Sequence, residues 1–202
     1  MKGYIQISLK DMIEQIGENK VKAILSNFSC PKNKDVEDFI RSKAIEFAKQ
    51  NIAPTHLIFT SYKEKLELIG YFTLAMKTIS ITTSSLSKTY RKKIQKFGTY
   101  NSDLKAYLIP APLIAQLGKN FSNGLDKLIT GDELLKFACD KVLTVQQDVG
   151  GKVVYLECED KENLKSFYES NGFVNFGKRN LDRDEVDKLE GKYLIQMLKY
   201  IT

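Results

Sequence analysis

The sequence predicts an α/β protein with a mixed central β-sheet, mostly antiparallel and flanked by helices. Three observations carry this reading. The stretches Asn33 to Asn51 and Leu134 to Val149 repeat apolar residues at helical spacing. Leu57 to Tyr62 and Glu67 to Thr82 are rich in β-branched and aromatic residues and are separated by the charged turn Lys63-Glu64-Lys65, the pattern of a hairpin. The short apolar run Lys152 to Cys158 sits between two helical stretches, as a buried parallel strand in a crossover does.

Along the chain, the first thirty residues allow two assignments. Val21, Ile24, Leu25 and Phe28 have helical spacing, while Ile24 to Cys30 also reads as a first strand before Pro31. From Asn33 the stripe Val36, Phe39, Ile40, Ala44, Phe47 and Ala48 makes an amphipathic helix, capped by Asn33 or Asp35 and closed near Asn51. The hairpin follows. A basic insertion around 84–102 then places Leu86, Tyr90, Ile94 and Phe97 on one helical face, with Arg91, Lys92, Lys93 and Lys96 elsewhere. This is either a solvated helix covering the sheet or a nucleic-acid surface. Tyr107 to Gly118 resumes as a strand in which Pro110 and Pro112 imply an edge or a bulge, because each proline removes a ladder donor. The second helix stops at Gly150-Gly151, a third from Lys161 to Ser170 ends at Asn171-Gly172, and Phe173 to Arg179 and Lys192 to Tyr200 close the sheet around the charged stretch Asp182 to Glu190.

Composition excludes several classes. A chain of 202 residues suits one domain, taken as 1–202, and buries about 70 % of its unfolded surface without staples. No apolar run approaches the roughly 20 residues of a membrane span, and the N-terminus lacks the apolar stretch of a signal peptide. A cytoplasmic protein with no membrane partner is expected. Cys30, Cys139 and Cys158 are far apart, with His56 the one histidine, so no metal site is expected and a Ser/Cys-His hydrolase would need that residue from a strand-like run. The net charge of +6 suits an anionic partner without naming it.

Three stretches carry a family resemblance. Leu113-Ile-Ala-Gln-Leu-Gly-Lys-Asn120, Ile129-Thr-Gly-Asp-Glu-Leu-Leu135 and Phe167-Tyr-Glu-Ser-Asn-Gly-Phe173 resemble the fourth strand, the phosphate loop and the closing Tyr-Glu-x-x-Gly-Phe motif of the GNAT superfamily of N-acetyltransferases. The element order is similar over nearly the whole chain. The resemblance implies a GNAT-like single domain whose parallel fourth and fifth strands splay apart to admit acetyl-CoA. It also implies direct transfer of the acetyl group to an amine acceptor: a small molecule, a peptide or protein, or an aminoacyl-tRNA. A homodimer is compatible with it. The alternative is a GNAT scaffold that binds nucleic acid or protein with little catalysis.

The resemblance assigns residues as well. Tyr168 would protonate the departing thiolate, since a phenol is a competent donor to a thiolate of comparable basicity. As a lone tyrosine on an amphipathic helix it would instead be packing. Leu117, Gly118 and Lys119 would offer backbone groups to pantetheine, and Ile129, Thr130, Gly131 and Asp132 would form the phosphate loop at a helix N-terminus. There the chain departs from the family's Gln/Arg-x-x-Gly-x-Gly/Ala. Gly131 is kept, but Ile129 replaces the first glycine and Asp126 the Gln/Arg. Thr130 and Glu133 also spell a capping box that would occupy phosphate donors, so the box is expected to open, with Lys119 and Lys127 offsetting the acidic turn. The acceptor's proton needs a base, for which Glu157 is the candidate among Glu157, Glu159, Asp160 and Glu67.

Overall fold

The structure is a computed structural model that describes residues 3–183, 185, 186, 189 and 191–201. The expected charged connection Asp182 to Glu190 lies partly outside the described residues, at Asp184, Asp187, Lys188 and Glu190. The elements are β1 (Tyr4–Ser8), α1 (Leu9–Ile16), α2 (Glu18–Ser26), α3 (Lys34–Asp38), α4 (Ala44–Lys49), β2 (Thr55–Tyr62), β3 (Lys65–Thr82), α5 (Lys88–Ile94), β4 (Thr99–Asn101), β5 (Ala106–Lys119), α6 (Gly131–Val149), β6 (Val153–Glu159), α7 (Glu162–Ser170), β7 (Val174–Asn180) and β8 (Tyr193–Tyr200). The strands follow the order β1-β2-β3-β5-β6-β8-β7, with β4 pairing β5. The fourth and fifth strands expected from sequence are thus β5 and β6. The described chain falls into two compact units, one of residues up to Ala75 with Ala115–Ala138, the other of Met76–Ile114 with residues from Cys139 onward.

In the first unit β1 pairs antiparallel with β2, from Tyr4 opposite Thr60 to Ser8 opposite His56. Of the two assignments open for the first thirty residues, the strand over Ile24 to Cys30 is corrected. The first strand is Tyr4–Ser8, and Ile24 to Ser26 belongs to helix α2. Helical spacing wins there because it buries Val21 and Leu25, with Phe28 following into the same core. The stripe starting at Val36 behaves as expected: Asn33 caps it by accepting from the Val36 amide at 3.2 Å, and a π-helical turn over Phe39–Lys43 joins α3 to α4. Val36, Phe39, Ile40, Ala44 and Ala48 pack with Leu57, Phe59, Leu68 and Tyr71. The β2–β3 hairpin closes through Lys63 and Glu64, both at left-handed φ (50° and 63°), the backbone of a two-residue turn matched to strand twist.

Midway along that hairpin the register shifts from Ile58–Gly70 to Phe59–Leu68, so Ile69 is an extra residue in β3. Its carbonyl is satisfied by the Asn120 amide at 2.8 Å, and the Asn120 side chain donates to Leu68 O at 2.8 Å. The same side-chain oxygen accepts from the amides of Ser29 and Ser122, each at 3.0 Å. One buried asparagine therefore ties the bulge, the α2–α3 connection and the segment after β5. Close by, Gly118 has no room for a side chain: a Cβ would stand 2.4 Å from Val36 Cγ1 and 3.3 Å from Tyr71 Cε1.

In the second unit β6 pairs antiparallel with β8 over seven residue pairs, from Val153–Tyr200 to Glu159–Leu194, and β8 carries β7 on its other side. The parallel β5–β6 register covers two pairs, Leu113–Tyr155 and Ile114–Leu156. The prolines implied an edge or a bulge, and the edge is corrected. β5 is an interior strand, and Pro110 and Pro112 fall between its pairing with β4 at Ala106 to Leu108 and its pairing with β6. Missing amides matter least in such an interval. The basic insertion forms α5 and β4. Ile94, with Leu86, Tyr90 and Phe97, packs on Ile79, Ile81, Ile109, Val153 and Leu198, leaving Lys92, Lys93 and Lys96 exposed. The later part of α6 departs from its apolar stripe, with Val145 36 % and Val149 69 % exposed.

Candidate functional site

The residues expected to hold the donor lie on the end of β5, the 3-10 segment Ser122–Leu128 and the first turn of α6. Leu117 is half-buried, and Gly118 is packed under Val36 and Tyr71. Lys119 does not project freely: its Nζ donates to Asp126 O at 2.7 Å and Ile129 O at 3.0 Å, bracing the segment from within. Lys127 is exposed, while Ile129 is 1 % exposed and part of the core.

The capping box is formed. The Thr130 amide donates to Glu133 Oε2 at 2.7 Å, the Thr130 hydroxyl to the same oxygen at 3.0 Å, and the Glu133 amide back to Thr130 Oγ1 at 3.1 Å. The capping box that Thr130 and Glu133 spell in the sequence is therefore present. Closure gives the amide a charge-assisted bond, roughly twice as strong as a neutral one. Tyr4 supports the turn from β1, donating to Leu128 O at 3.0 Å with its ring edge-on to Phe137. Burial and the Glu133 carboxylate push the Tyr4 phenol up to about 12. Gly131 and Asp132 occupy the first turn beside the box.

The other group lies in the second unit, where β6 passes into α7. Tyr168 stands edge-on to Phe167, centroids 5.0 Å apart, and to Phe173 at 5.9 Å. The helix turns back on itself here: Gly172 takes φ 82°, and the Phe173 amide donates to Tyr168 O at 3.0 Å. Burial, with the Cys158 thiol nearby, raises the Tyr168 phenol well above the ordinary tyrosine value, so the group stays protonated. Burial likewise pushes Cys158 up to about 11, making it a thiol rather than a nucleophile.

The carboxylates at the end of β6 are all engaged. Glu157 accepts from Arg179 Nε at 2.6 Å and from Gln196 at 2.9 Å, and Arg179 also grips both oxygens of Glu185 at 2.7 Å. Glu159 pairs with Lys161 at 3.2 Å. Asp160 accepts from Lys165 at 2.9 Å and the Tyr193 hydroxyl at 2.9 Å, bonds that hold its carboxyl below the usual range. Glu159, Asp160, Lys161, Gly191, Lys192 and Tyr193 line a shallow cleft of about 190 Å³. Arg179 and Asn120 were not distinguished by the sequence. Each would have needed the partner strand's register, which no local pattern carries.

Among the described residues no group of three or more His, Cys, Asp or Glu side chains is placed to hold a metal, and no helix is long and apolar enough to cross a membrane. His56 is stacked on Phe72 at 5.0 Å, inside the sheet packing.

No family model matches the chain, and no curated protein matches it. Solved structures do. The toxin AtaT complexed with acetyl-methionyl-tRNAfMet is similar at 20 % identity and a TM-score of 0.60, over 96 % of this chain and 94 % of that one. A tyrosine-to-phenylalanine variant of the toxin KacT gives 17 % and 0.62, over 97 % and 94 %. AtaTR bound with AcCoA gives 17 % and 0.54, over 95 % and 91 %. The fold is GNAT-like. At this identity the likeness is one of architecture, so activity has to be argued from the residues.

Proposed function

We propose that the chain is an N-acetyltransferase that moves an acetyl group from acetyl-CoA to an amine acceptor. The neutral amine attacks the thioester carbonyl, the carbon–sulfur bond breaks, and the departing thiolate takes the proton of Tyr168. The observation that carries the reading is the place of the Tyr168 phenol, framed by Phe167 and Phe173 where the helix after β6 ends. It stands in a fold whose solved neighbours include one bound with AcCoA and two that are tyrosine-to-phenylalanine variants. Leu117, Gly118, Lys119, Lys127, Ile129, Thr130, Gly131 and Asp132 are the proposed donor-binding residues.

Glu157 is the proposed proton acceptor for the amine, through water, because its oxygens each accept one bond and retain a second lone pair. The acceptor class extends from small amines and peptides to aminoacyl-tRNA. AtaT complexed with acetyl-methionyl-tRNAfMet supports including the last. The site of action proposed is the cytoplasm. The test is single-turnover transfer from acetyl-CoA by the parent and by Tyr168→Phe. Equal rates across pH would remove Tyr168 from the reaction.

The closed capping box favours a second reading, a GNAT-like binding protein whose exposed Lys92, Lys93 and Lys96 engage RNA or DNA. Nucleic-acid affinity that falls steeply with salt and is lost on charge removal at α5, with no acetyl transfer, would select it.

A further inference from the structure

We infer that Glu133 is a built-in competitor for the phosphates of the donor, and that its carboxylate sets how tightly and how selectively this chain takes acetyl-CoA. The inference rests on the acyltransferase reading. A helix N-terminus offers a small number of amide donors to an anion. Here the approach to α6 already holds one: Glu133 Oε2 accepts from both the amide and the hydroxyl of Thr130. A carboxylate oxygen in that position is chemically the same kind of ligand as a phosphate oxygen, a charged acceptor on a backbone amide. The Thr130 amide serves one of them at a time.

Two further contacts make the occupant firm. Tyr4 of β1 donates to Leu128 O at 3.0 Å and its phenol is raised in part by the Glu133 carboxylate, so a second element borders that carboxylate. Lys119 spends two N–H donors on the carbonyls of Asp126 and Ile129, fixing the backbone that leads into the box. Its charge stays near the turn and does not move Glu133 away from Thr130. A phosphate that takes the Thr130 amide must displace Glu133, and two anions at one helix terminus repel. The effect is confined to the phosphorylated part of the donor, since the acyl-pantetheine arm carries no charge.

Calorimetric titration of the full chain with acetyl-CoA and with phosphate-free acetylpantetheine, in the parent, Glu133→Gln and Glu133→Ala, tests this. Glu133→Gln keeps an oxygen for the Thr130 amide and removes only the charge, so it guards against a folding artefact. The expected result is acetyl-CoA affinity raised about tenfold in Glu133→Ala, the equivalent of about 1.4 kcal/mol, with a smaller rise in Glu133→Gln and acetylpantetheine unchanged. Equal acetyl-CoA affinity in all three proteins overturns the inference and leaves the acyltransferase reading standing. So does an equal gain for acetylpantetheine. If none of the three binds acetyl-CoA, the reading falls and the inference with it.

Discussion

The segment from Leu117 to Asp132 and the segment from Glu157 to Phe173 meet their chemical needs in opposite ways. The first is polar and closed upon itself: Lys119 braces two carbonyls, and Glu133 takes the Thr130 amide. The second places an aromatic cluster beside committed carboxylates, with Arg179 holding Glu157 and Glu185 together. The difference separates two requirements that a sequence motif merges. Tyr168 and Phe173 resemble the family pattern where the same residues also pack the end of α7. The phosphate loop departs from it where binding alone would demand glycines.

The widest separation between the two segments should appear in kinetics. Tyr168→Phe keeps the ring and its contacts with Phe167 and Phe173 but loses the proton, so acetyl transfer should fall about 100-fold with donor affinity unchanged. Stopped-flow transfer and calorimetry on the same preparation check the split. A loss of affinity instead of rate would move Tyr168 to the binding side of the comparison.

Stability should divide along different residues. Asn120→Ala removes an oxygen that accepts from Ser29 and Ser122 and a donor to Leu68, leaving several polar groups short of partners around a 3 % exposed position. A cost of roughly 2–4 kcal/mol in urea unfolding is expected. Gly118→Ala forces a methyl group onto Val36 Cγ1 and Tyr71, for roughly 1–3 kcal/mol. An Ala at 118 that costs nothing would mean that α3 yields readily, and that the glycine serves the donor rather than the core.

Much of this was legible in the sequence, for reasons that stop at identifiable places. The helix from Val36 to Ala48, the hairpin turned at Lys63-Glu64, the Gly150-Gly151 stop and the helix end at Asn171-Gly172 rest on local periodicity and turn chemistry, and each was found. β1 was missed although Ile5-Gln6-Ile7-Ser8 alternates apolar and polar residues, because the strand is short and its partner lies some fifty residues away in β2. Pro110 and Pro112 signalled an edge, but the gap that accommodates them is set by where β4 and β6 happen to pair. The capping box was visible as Thr130 and Glu133, whereas the braces on the turn before it, Tyr4 on Leu128 O and Lys119 on Ile129 O, come from other elements. Glu157 was visible as a carboxylate and not as Arg179's partner, since that pairing reaches from β6 over β8 to β7.

A last prediction concerns Glu37, a buried carboxylate in the first unit with a structural task. It accepts from the Cys30 amide at 2.7 Å, from Ser29, and from Lys34 and Arg41. The Cys30 amide first, then Lys34, hold its carboxyl down at about 2. A folded value below the unfolded one stabilises the fold above the ordinary glutamate range and loses that contribution as pH falls from about 4.5 toward 2. The parent should therefore lose roughly 1–3 kcal/mol more than Glu37→Gln across that window in pH-dependent unfolding, after discounting for the partly exposed partners. Asp160, whose carboxyl is also lowered, titrates in both proteins and cancels in the difference. Parallel pH curves would show that the Cys30 amide and Lys34 bind the protonated acid as well as the carboxylate. In that event the connection between α2 and α3, and with it the Ser29 contact to Asn120, is held by packing of Phe28 and Val36 rather than by charge.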